Sequence, residues 1–303
     1  MAFSSSHTPV LLEEVATFLD PKEGDTVLDV TLGLGGHAQE FLKRIGERGR
    51  FIGLDADARN LSQAQENLRA FPDRVECRHA NFRDLARLDL PKVDILFADL
   101  GLSSPHVDDP KRGFTFREEV PLDLRYDQSR GVTAAAWLAQ ADEEDVAHCL
   151  RAFSELPSAA RFARVLKERL PTTTTAVVLA AESVYRWRAK AMLPQIFQAL
   201  RIAVNDELGS LDALLAVGST LLRPGGRMGV ISYHSLEDRR VKQVFRDLAT
   251  APKHPETGQD LYPADFTLLT RKAIVPSPDE VRLNPRSRSA KLRVIMRRDS
   301  PPS

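Results

Sequence analysis

Three aspartates and a glycine loop carry the chemistry that the first third of the sequence offers. Asp29, Asp55 and Asp99 each lie at the end of an apolar run, and the loop Gly33-Leu34-Gly35-Gly36-His37 follows the first of these runs. Glycines without a Cβ let the backbone approach a ligand closely, and the N–H groups that begin the next helix bind its polar groups. The pattern predicts a nucleotide-like cofactor, with Asp55 accepting the hydroxyls of its ribose.

Two cofactors fit this loop. Gly33, Gly35 and Ala38 match the dinucleotide-binding spacing, which favours NAD. S-adenosylmethionine (SAM) can use the same positions, but it carries an ammonium and a sulfonium where NAD carries a pyrophosphate. Asp29 places a negative charge four residues before Gly33, which favours the cationic ligand. A glycine loop that merely turns the chain stays open as a third interpretation.

The segment after the fourth apolar run favours SAM. An exocyclic amine such as N4 of cytosine is a poor nucleophile because its lone pair is delocalised into the ring. Acceptors that hold its two hydrogens favour a pyramidal nitrogen, and positioning it in line with a sulfonium methyl supplies the rest. Asp99 and the hydroxyls of Ser103 or Ser104 are suitable acceptors. A capped turn is the alternative interpretation of Ser103-Ser104-Pro105.

The elements that must position these residues alternate in type at both ends of the chain. The sequence predicts strands at 26–30, 50–54, 75–79, 93–98 and 227–232, and helices after Thr8-Pro9 and at 38–45, 58–70 and 236–249. Such alternation implies a parallel sheet with right-handed crossovers. Two last β-like runs, 266–275 and 290–297, have no predicted helix between them, so we expect them to pair antiparallel.

The middle of the chain is predicted to be helical. After a charged loop at 110–130, helices are predicted at 143–153, 159–170, 176–188 and 195–222, the last with a break at Gly209. We therefore expect a doubly wound α/β domain, formed by residues 1–108 and 216–303, with an inserted helical substrate-recognition domain at 109–215.

Composition narrows the class of protein. The 303 residues include 42 Lys and Arg against 42 Asp and Glu, and 43% are apolar, which excludes a disordered acidic or basic tail protein. The two distant cysteines and the unpaired histidines indicate neither a disulfide framework nor a structural metal. No run approaches the roughly 20 apolar residues that cross a bilayer. We expect a soluble, cytoplasmic protein without metal.

Taken together, these segments resemble the MraW (RsmH) family, SAM-dependent methyltransferases that modify N4 of a cytosine in the decoding region of bacterial 16S ribosomal RNA. The resemblance covers nearly the whole chain. It is carried, in chain order, by His7–Glu14, Thr31–His37, Asp99–Pro105, Arg112–Phe116, Pro121–Arg125, Phe197–Ile202 and Ser232–Arg239.

The resemblance implies a class I SAM-dependent methyltransferase fold, which is a Rossmann-like doubly wound sheet, with SAM as the cofactor and 16S rRNA of the small subunit as the partner. The implied SAM-binding residues are Gly35, Gly36, His37, Asp55, Phe82, Asp99 and His106. The family often has glutamine at the position of His106. A homodimer is compatible with the sequence, and no membrane partner is expected.

His234 is the remaining chemical candidate. It follows the fifth predicted strand, where it could contact a flipped cytosine or accept a proton. A structural hydrogen bond to Glu237 or Asp238 is equally open. The cytosine pocket is expected between Ser103-Ser104-Pro105, the segment 111–125 and the loop 232–237. Phe114, Phe116 or Tyr126 could stack on the base or serve as packing anchors.

Other activities remain open at this level. An NAD-dependent oxidoreductase would use the same glycine loop, and a non-catalytic SAM-responsive RNA-binding protein would use the same cofactor site. The chain also departs from the family in the helical insert. Ser154-Glu155-Leu156 stands where many relatives have Gly-Glu-Glu, and 191–196 replaces a His-Pro-Ala-Thr-Arg-like run. These departures concern RNA contacts, not the cofactor site.

The zero net charge is a sum of opposite parts. Residues 281–303 carry +6 and residues 1–280 carry −6. Arg286-Ser287-Arg288 is predicted in the loop before the last strand, where it could contact phosphates. The same charges could instead protect an edge strand from aggregation.

Overall fold

The computed structural model describes residues 9–299, without the side chains of Ser104 and Val107, so Thr8 of the predicted first helix cap lies outside the described residues. The chain divides into two compact units. The first unit joins the residues up to Gly101 to those from Gly209 onward, and the second unit is Leu102–Leu208. No described helix is long and apolar enough to span a membrane.

Most predicted helices are present with similar bounds. In chain order the helices are α1 (Leu12–Leu19), α2 (Gly36–Arg44), α3 (Ala58–Asn67), α4 (Ser104–Asp108), α5 (Ala134–Gln140), α6 (Glu143–Ser154), α7 (Ala159–Arg169), α8 (Thr174–Tyr185), α9 (Ala189–Asn205), α10 (Glu207–Leu221), α11 (Ser235–Leu248) and α12 (Pro278–Leu283). However, α9 begins six residues earlier than predicted, and no helix was predicted at the positions of α4 and α12. Short 3-10 helices occupy Phe82–Arg87, Pro110–Arg112, Arg186–Arg188 and Pro285–Ser289.

The strands form one sheet in the first unit. They are β1 (Thr26–Asp29), β2 (Arg50–Asp55), β3 (Val75–His79), β4 (Val93–Asp99), β5 (Leu222–Ser232), β6 (Phe266–Leu268) and β7 (Lys291–Arg297). Their order in the sheet is β3-β2-β1-β4-β5-β7-β6. The five strands from β1 to β5 are parallel, and β7 lies antiparallel between β5 and β6. The predicted doubly wound Rossmann-like sheet is confirmed.

Both faces of this sheet are buried, as expected for parallel strands that carry helices on each side. Successive residues of one strand enter different cores: Val27 and Phe51 pack on one face, while Leu28 and Ile52 pack on the other. This explains why the strands read as continuous apolar runs instead of alternating ones.

The second unit has a helical core of its own, formed mainly by α6, α7, α8 and α9. It begins at Leu102, earlier than the expected 109, because His106 packs within it against Phe114 and Tyr126. It ends at Leu208, because Leu211 and Leu214 of α10 enter the core of the sheet unit.

Four local predictions are wrong. The strand β6 ends at Leu268, although the predicted run extended to residue 275. The break in the long predicted helix falls at Asp206, with φ of 48°, and Gly209 lies inside α10. Asp tolerates this left-handed conformation better than most residues. The helix α12 lies between β6 and β7, where none was predicted. Arg286 and Arg288 lie on a 3-10 helix and not in an open loop.

Candidate functional site

The sheet register brings the three aspartates to one edge. Asp29 of β1 pairs with Gly53 of β2 on one side and with Phe97 of β4 on the other. Asp55 and Asp99 are the last residues of β2 and β4. Because parallel strands end at the same edge, the carboxyl groups of three adjacent strands lie beside the loop that follows β1.

Thr31 connects the ends of β1 and β4. Its backbone N–H and its hydroxyl donate to Asp29 Oδ1 at 2.9 and 3.3 Å, and its Oγ1 accepts the backbone N–H of Asp99 at 2.6 Å. Thr31, two residues after the end of β1, therefore holds Asp29 and the backbone of Asp99 together.

Asp55 holds the glycine loop. Its Oδ2 accepts the backbone N–H of Gly33 at 2.7 Å, and its Oδ1 accepts that of Asp57 at 2.7 Å. Gly33 has a φ of 55°, which a glycine adopts without strain. The side chain of Asn60 also donates a hydrogen bond to Asp55. A carboxylate has about four acceptor positions, so one remains for the predicted contact with a ribose.

Asp99 is the most accessible of the three acids. Its side chain is 25% exposed, whereas Asp29 is 1% and Asp55 is 8% exposed. The Tyr233 hydroxyl donates to Asp99 Oδ1 at 2.8 Å, and His37 Nε2 lies 3.7 Å from Oδ2. The second distance is too long for a hydrogen bond. Oδ2 is therefore the oxygen that can accept from a ligand.

The three acids share an environment that opposes their ionisation. Burial, as the largest cause, raises the pKa of Asp29 to about 7, that of Asp55 to about 6 and that of Asp99 to about 7. Burial also lowers the pKa of His37 to about 3, so this neighbour is neutral. Within residues 9–299, no Lys or Arg side chain pairs with any of the three. A cationic ligand would supply the missing positive charge.

Glycine is required at the start of α2 for two reasons, which are close packing at one position and a positive φ at the other. A Cβ on Gly36 would lie 2.6 Å from Pro9 Cγ, and Gly35 has a φ of 84°. The ring of His37 packs on Phe97 at a centroid distance of 4.7 Å, and neither ring nitrogen has a hydrogen-bond partner. The groups at this edge fit SAM. The acids suit its positive charges, the glycines allow a close approach of the backbone, and the imidazole of His37 has an unused hydrogen-bonding capacity.

His234 lies at the start of α11. Its Nε2 is 3.2 Å from Glu237 Oε1, and Glu237 Oε2 accepts the backbone N–H groups of Tyr233 and His234. Asp238 instead pairs with Lys291 and Arg293 at 3.2 and 2.7 Å. Of the two structural partners left open for His234, Glu237 is the one that lies near its ring, but neither ring nitrogen has a hydrogen-bond partner among the described residues.

Phe82 begins a 3-10 helix that Asn81 caps, and it packs, partly buried, against the core on one sheet face. This placement matches the alternative of a core aromatic. The predicted contact with an adenine ring is not tested by it.

Ser103 and His106 belong to the second unit. Ser103 Oγ lies 2.9 Å from His106 Nδ1, and the imidazole is buried against the rings of Phe114 and Tyr126 at 5.4 and 5.1 Å. Phe116 packs on Phe197 at 5.4 Å. The aromatic candidates for base stacking thus take part in packing. The side chain of Ser104 lies outside the described residues.

Comparison with known proteins shows which family this chain belongs to. Residues 4–298 match the sequence model of the MraW methylase family. This protein belongs to the MraW methylase family. The match includes the glycine loop and all three strand-end acids, so the resemblance expected from the sequence motifs is confirmed.

Relatives of this MraW methylase are similar over nearly their whole length. Proteins named ribosomal RNA small subunit methyltransferase H are 39% identical in Prosthecochloris aestuarii, 43% in Myxococcus xanthus and 41% in Syntrophotalea carbinolica. These alignments cover 99%, 95% and 96% of this chain, and 97%, 96% and 98% of the relatives.

Tyr233 is a candidate site residue of this MraW methylase that the sequence did not indicate. It is partly buried, it donates to Asp99, and a Cβ on Gly101 would lie 3.1 Å from its ring. The available signal was its position directly after β5, at the same sheet edge as the acids. Sequence spacing gave no indication that its hydroxyl reaches β4.

Proposed function

We propose that this protein is a SAM-dependent methyltransferase that methylates N4 of a cytosine in the decoding region of 16S rRNA, within the small ribosomal subunit in the cytoplasm. The observation that carries the proposal is the group of three strand-end carboxyls, two buried and one partly buried, which have a raised pKa and no basic partner within residues 9–299. Family membership and the names of the relatives support the substrate.

Each residue of the sheet edge has a role toward the cofactor. Asp55 would accept the ribose hydroxyls, and Gly35 and Gly36 would let the backbone approach the methionine end. Asp29, Asp99 and the neutral imidazole of His37 would face its positive charge. Phe82 would contact the adenine. When bound, SAM supplies an activated methyl group on a sulfonium, and every other contribution comes from the protein.

Asp99 would orient the amine. Its Oδ2 can accept one N4–H of the cytosine while Tyr233 holds Oδ1. This contact would favour the pyramidal nitrogen and hold its lone pair toward the methyl group. Asp99 would thus hold the nitrogen toward the methyl group that SAM would supply, with the demethylated cofactor as the leaving group, and the methylated nitrogen would lose its proton to solvent. The protonated amine is acidic, so no strong base is required.

The second unit would recognise the RNA. Hydroxyls of Ser103 and Ser104, together with His106 and His234, remain predicted contributors to substrate or cofactor binding. The NAD-dependent alternative is disfavoured by charge, because a pyrophosphate beside three strand-end carboxyls would add repulsion where no described basic side chain compensates.

The test of this function is the substitution Asp99→Ala, with Asp99→Asn as the variant that keeps a group able to accept the Tyr233 hydrogen bond. We expect both to lower methyl transfer from radiolabelled SAM to small ribosomal subunits by at least about 100-fold, the typical effect of removing one oriented polar group at a reacting centre. Asp84→Ala is the control, because Asp84 pairs with Arg87 outside this edge. This variant should transfer methyl groups at the wild-type rate.

Two outcomes would contradict the proposal. Near-normal turnover by Asp99→Asn would remove Asp99 from the reaction. Wild-type protein that binds SAM and RNA in calorimetry, yet leaves the RNA unmodified by mass spectrometry, would establish the non-catalytic alternative. Mapping rRNA from cells with and without the protein identifies the modified base.

A further inference from the structure

Trp187 is an exposed aromatic residue on the second unit. It lies on the 3-10 turn Arg186–Arg188 that joins α8 to α9, and it is 82% exposed. Folded proteins bury most of the surface of their tryptophans. An exposed ring does not contribute the stabilisation that its burial would give. We therefore ask whether Trp187 binds a partner at the surface.

The turn holds Trp187 outward. On one side Tyr185 is buried, and its hydroxyl donates to the carbonyl of Pro157 at 3.0 Å; on the other side Ala189 is buried. Between them Arg186 has a φ of 52°, a conformation that is strained for a residue with a Cβ and persists only where the surrounding structure holds it. The ring is therefore presented by a fixed turn and not by a flexible tail.

The surroundings of Trp187 are basic. Arg186, Arg188 and Lys190 flank it, and no Asp or Glu occurs from Ser183 to Asn205. In the described part of the chain none of the three cations pairs with a carboxylate. The Arg188 guanidinium lies 4.8 Å from the centre of the Trp187 ring. Arg188 therefore lies over one face of the ring, and the high exposure of Trp187 leaves room for a base to stack on the other face.

We propose that the turn 186–190, here called the Trp187 turn, binds unpaired RNA. Trp187 stacks on a base, and Arg186, Arg188 and Lys190 contact the adjoining phosphates. Aromatic rings interleaved with basic side chains are the means by which proteins hold single strands, because every base has a π face and every nucleotide a charge. The inference rests on the proposed function and adds to it a place where the second unit holds the substrate.

Charge complementarity selects RNA over an apolar protein partner. Three unpaired cations beside one ring would lose hydration without compensation in an apolar interface, whereas phosphates neutralise them and release counterions. The Trp187 turn also directly precedes residues 191–196, where the sequence departs from the family run. This chain therefore presents its own arrangement of RNA-contacting groups there.

The experiment measures binding of the full-length protein to a labelled single-stranded RNA of about ten nucleotides by fluorescence anisotropy. Trp187→Ala should weaken binding about 5- to 150-fold, the effect of losing one stacked base, and Trp187→Phe should retain most of the affinity. Replacing Arg186, Arg188 and Lys190 by Gln should reduce the salt dependence, the slope of log K against log salt, by about 2. Tyr262→Ala, which removes a 60% exposed aromatic from the first unit, is the matched control.

Methyl transfer to small ribosomal subunits separates this inference from the proposed function. Trp187→Ala should raise KM and leave kcat unchanged, since the Trp187 turn holds substrate without touching the reacting atoms. Wild-type affinity of Trp187→Ala for RNA, with Asp99→Asn inactive, would overturn the inference and leave the function standing. Weaker binding of Trp187→Ala to subunits but not to free RNA would assign the turn to a protein partner. Wild-type protein that neither binds nor methylates RNA would overturn both proposals.

Discussion

At the scale of single residues, the site is defined by acids that the fold keeps partly protonated. Burial raises the pKa of Asp29, Asp55 and Asp99. Among the described residues, only Tyr233 donates a side-chain hydrogen bond to Asp99. Such an arrangement opposes ionisation in the free protein and favours it once a cation is bound. Proton release should therefore accompany cofactor binding.

The pH dependence of SAM binding follows from these pKa values. Below about pH 6 the three carboxyls are protonated and offer no charge to the cofactor's cations, so affinity should rise with pH and level off above about pH 7. Calorimetry in buffers of different ionisation enthalpy measures both the affinity and the protons released. Affinity that is flat or falls with rising pH would contradict this assignment.

Tyr233→Phe is the matched variant for this measurement. The Tyr233 hydrogen bond lowers the pKa of Asp99, although burial raises it overall. Removing the hydroxyl should move the rise in affinity to higher pH, while the phenylalanine ring preserves the packing on Gly101. An unshifted profile would mean that Tyr233 does not control the ionisation of Asp99.

At the scale of elements, several helices of the second unit end on side-chain residues in the left-handed region. Helix α6 ends at Glu155, whose φ is 51° and whose N–H donates to the carbonyl of Arg151. Glycine adopts this conformation without the clash of a Cβ. Glu155 therefore holds a backbone conformation that its Cβ disfavours.

Glu155→Gly should stabilise the protein. Relief of the left-handed strain is worth about 1 kcal/mol, which corresponds to a rise in Tm of about 2–4 °C for a domain of this size. Glu155→Ala removes the same carboxylate but keeps the Cβ, and it should show no such rise in thermal unfolding. Equal Tm values for the two variants would attribute any gain to the lost charge.

At the scale of the whole molecule, the basic end of the chain is partly committed to the fold. Arg282 pairs with Asp279, and Lys291 and Arg293 share Asp238. The segment's +6 charge is therefore not all available to a polyanion. Arg288 forms no ion pair among the described residues, whereas Arg286 of the same 3-10 helix has a partner within the protein. Both remain predicted phosphate contacts, and Arg286 would have to exchange its partner for the phosphate.

Replacing Arg286 and Arg288 by Gln should weaken binding to small ribosomal subunits and reduce its salt dependence by about 1.4, because each phosphate contact on a single strand contributes about 0.7. Binding measured across a salt series gives this slope directly. Arg48→Gln, which breaks an exposed pair with Glu23 elsewhere on the first unit, should leave it unchanged. If the double variant has the same slope as the wild type, Arg286 and Arg288 do not contact phosphates. The basic charge of residues 281–303 would then serve only solubility and protection of the sheet edge.

The sequence by itself determined the order of the elements, the sheet class and the residues at the strand ends. These features depend on local apolar runs and on the rule that parallel strands end at one edge. The sequence was therefore enough to place Asp55 and Asp99 at the ends of neighbouring strands. Local cues also sufficed for β3 (Val75–His79), whose bounds match the prediction.

Only the tertiary structure decided how those residues interact. The insertion of β7 between β5 and β6, the helix α12 and the break at Asp206 depend on packing between segments far apart in the chain. So does the bond from Tyr233 to Asp99, which spans 134 positions. The raised pKa values arise from burial by the assembled sheet and helices, because desolvation is a property of the surroundings and not of the residue type.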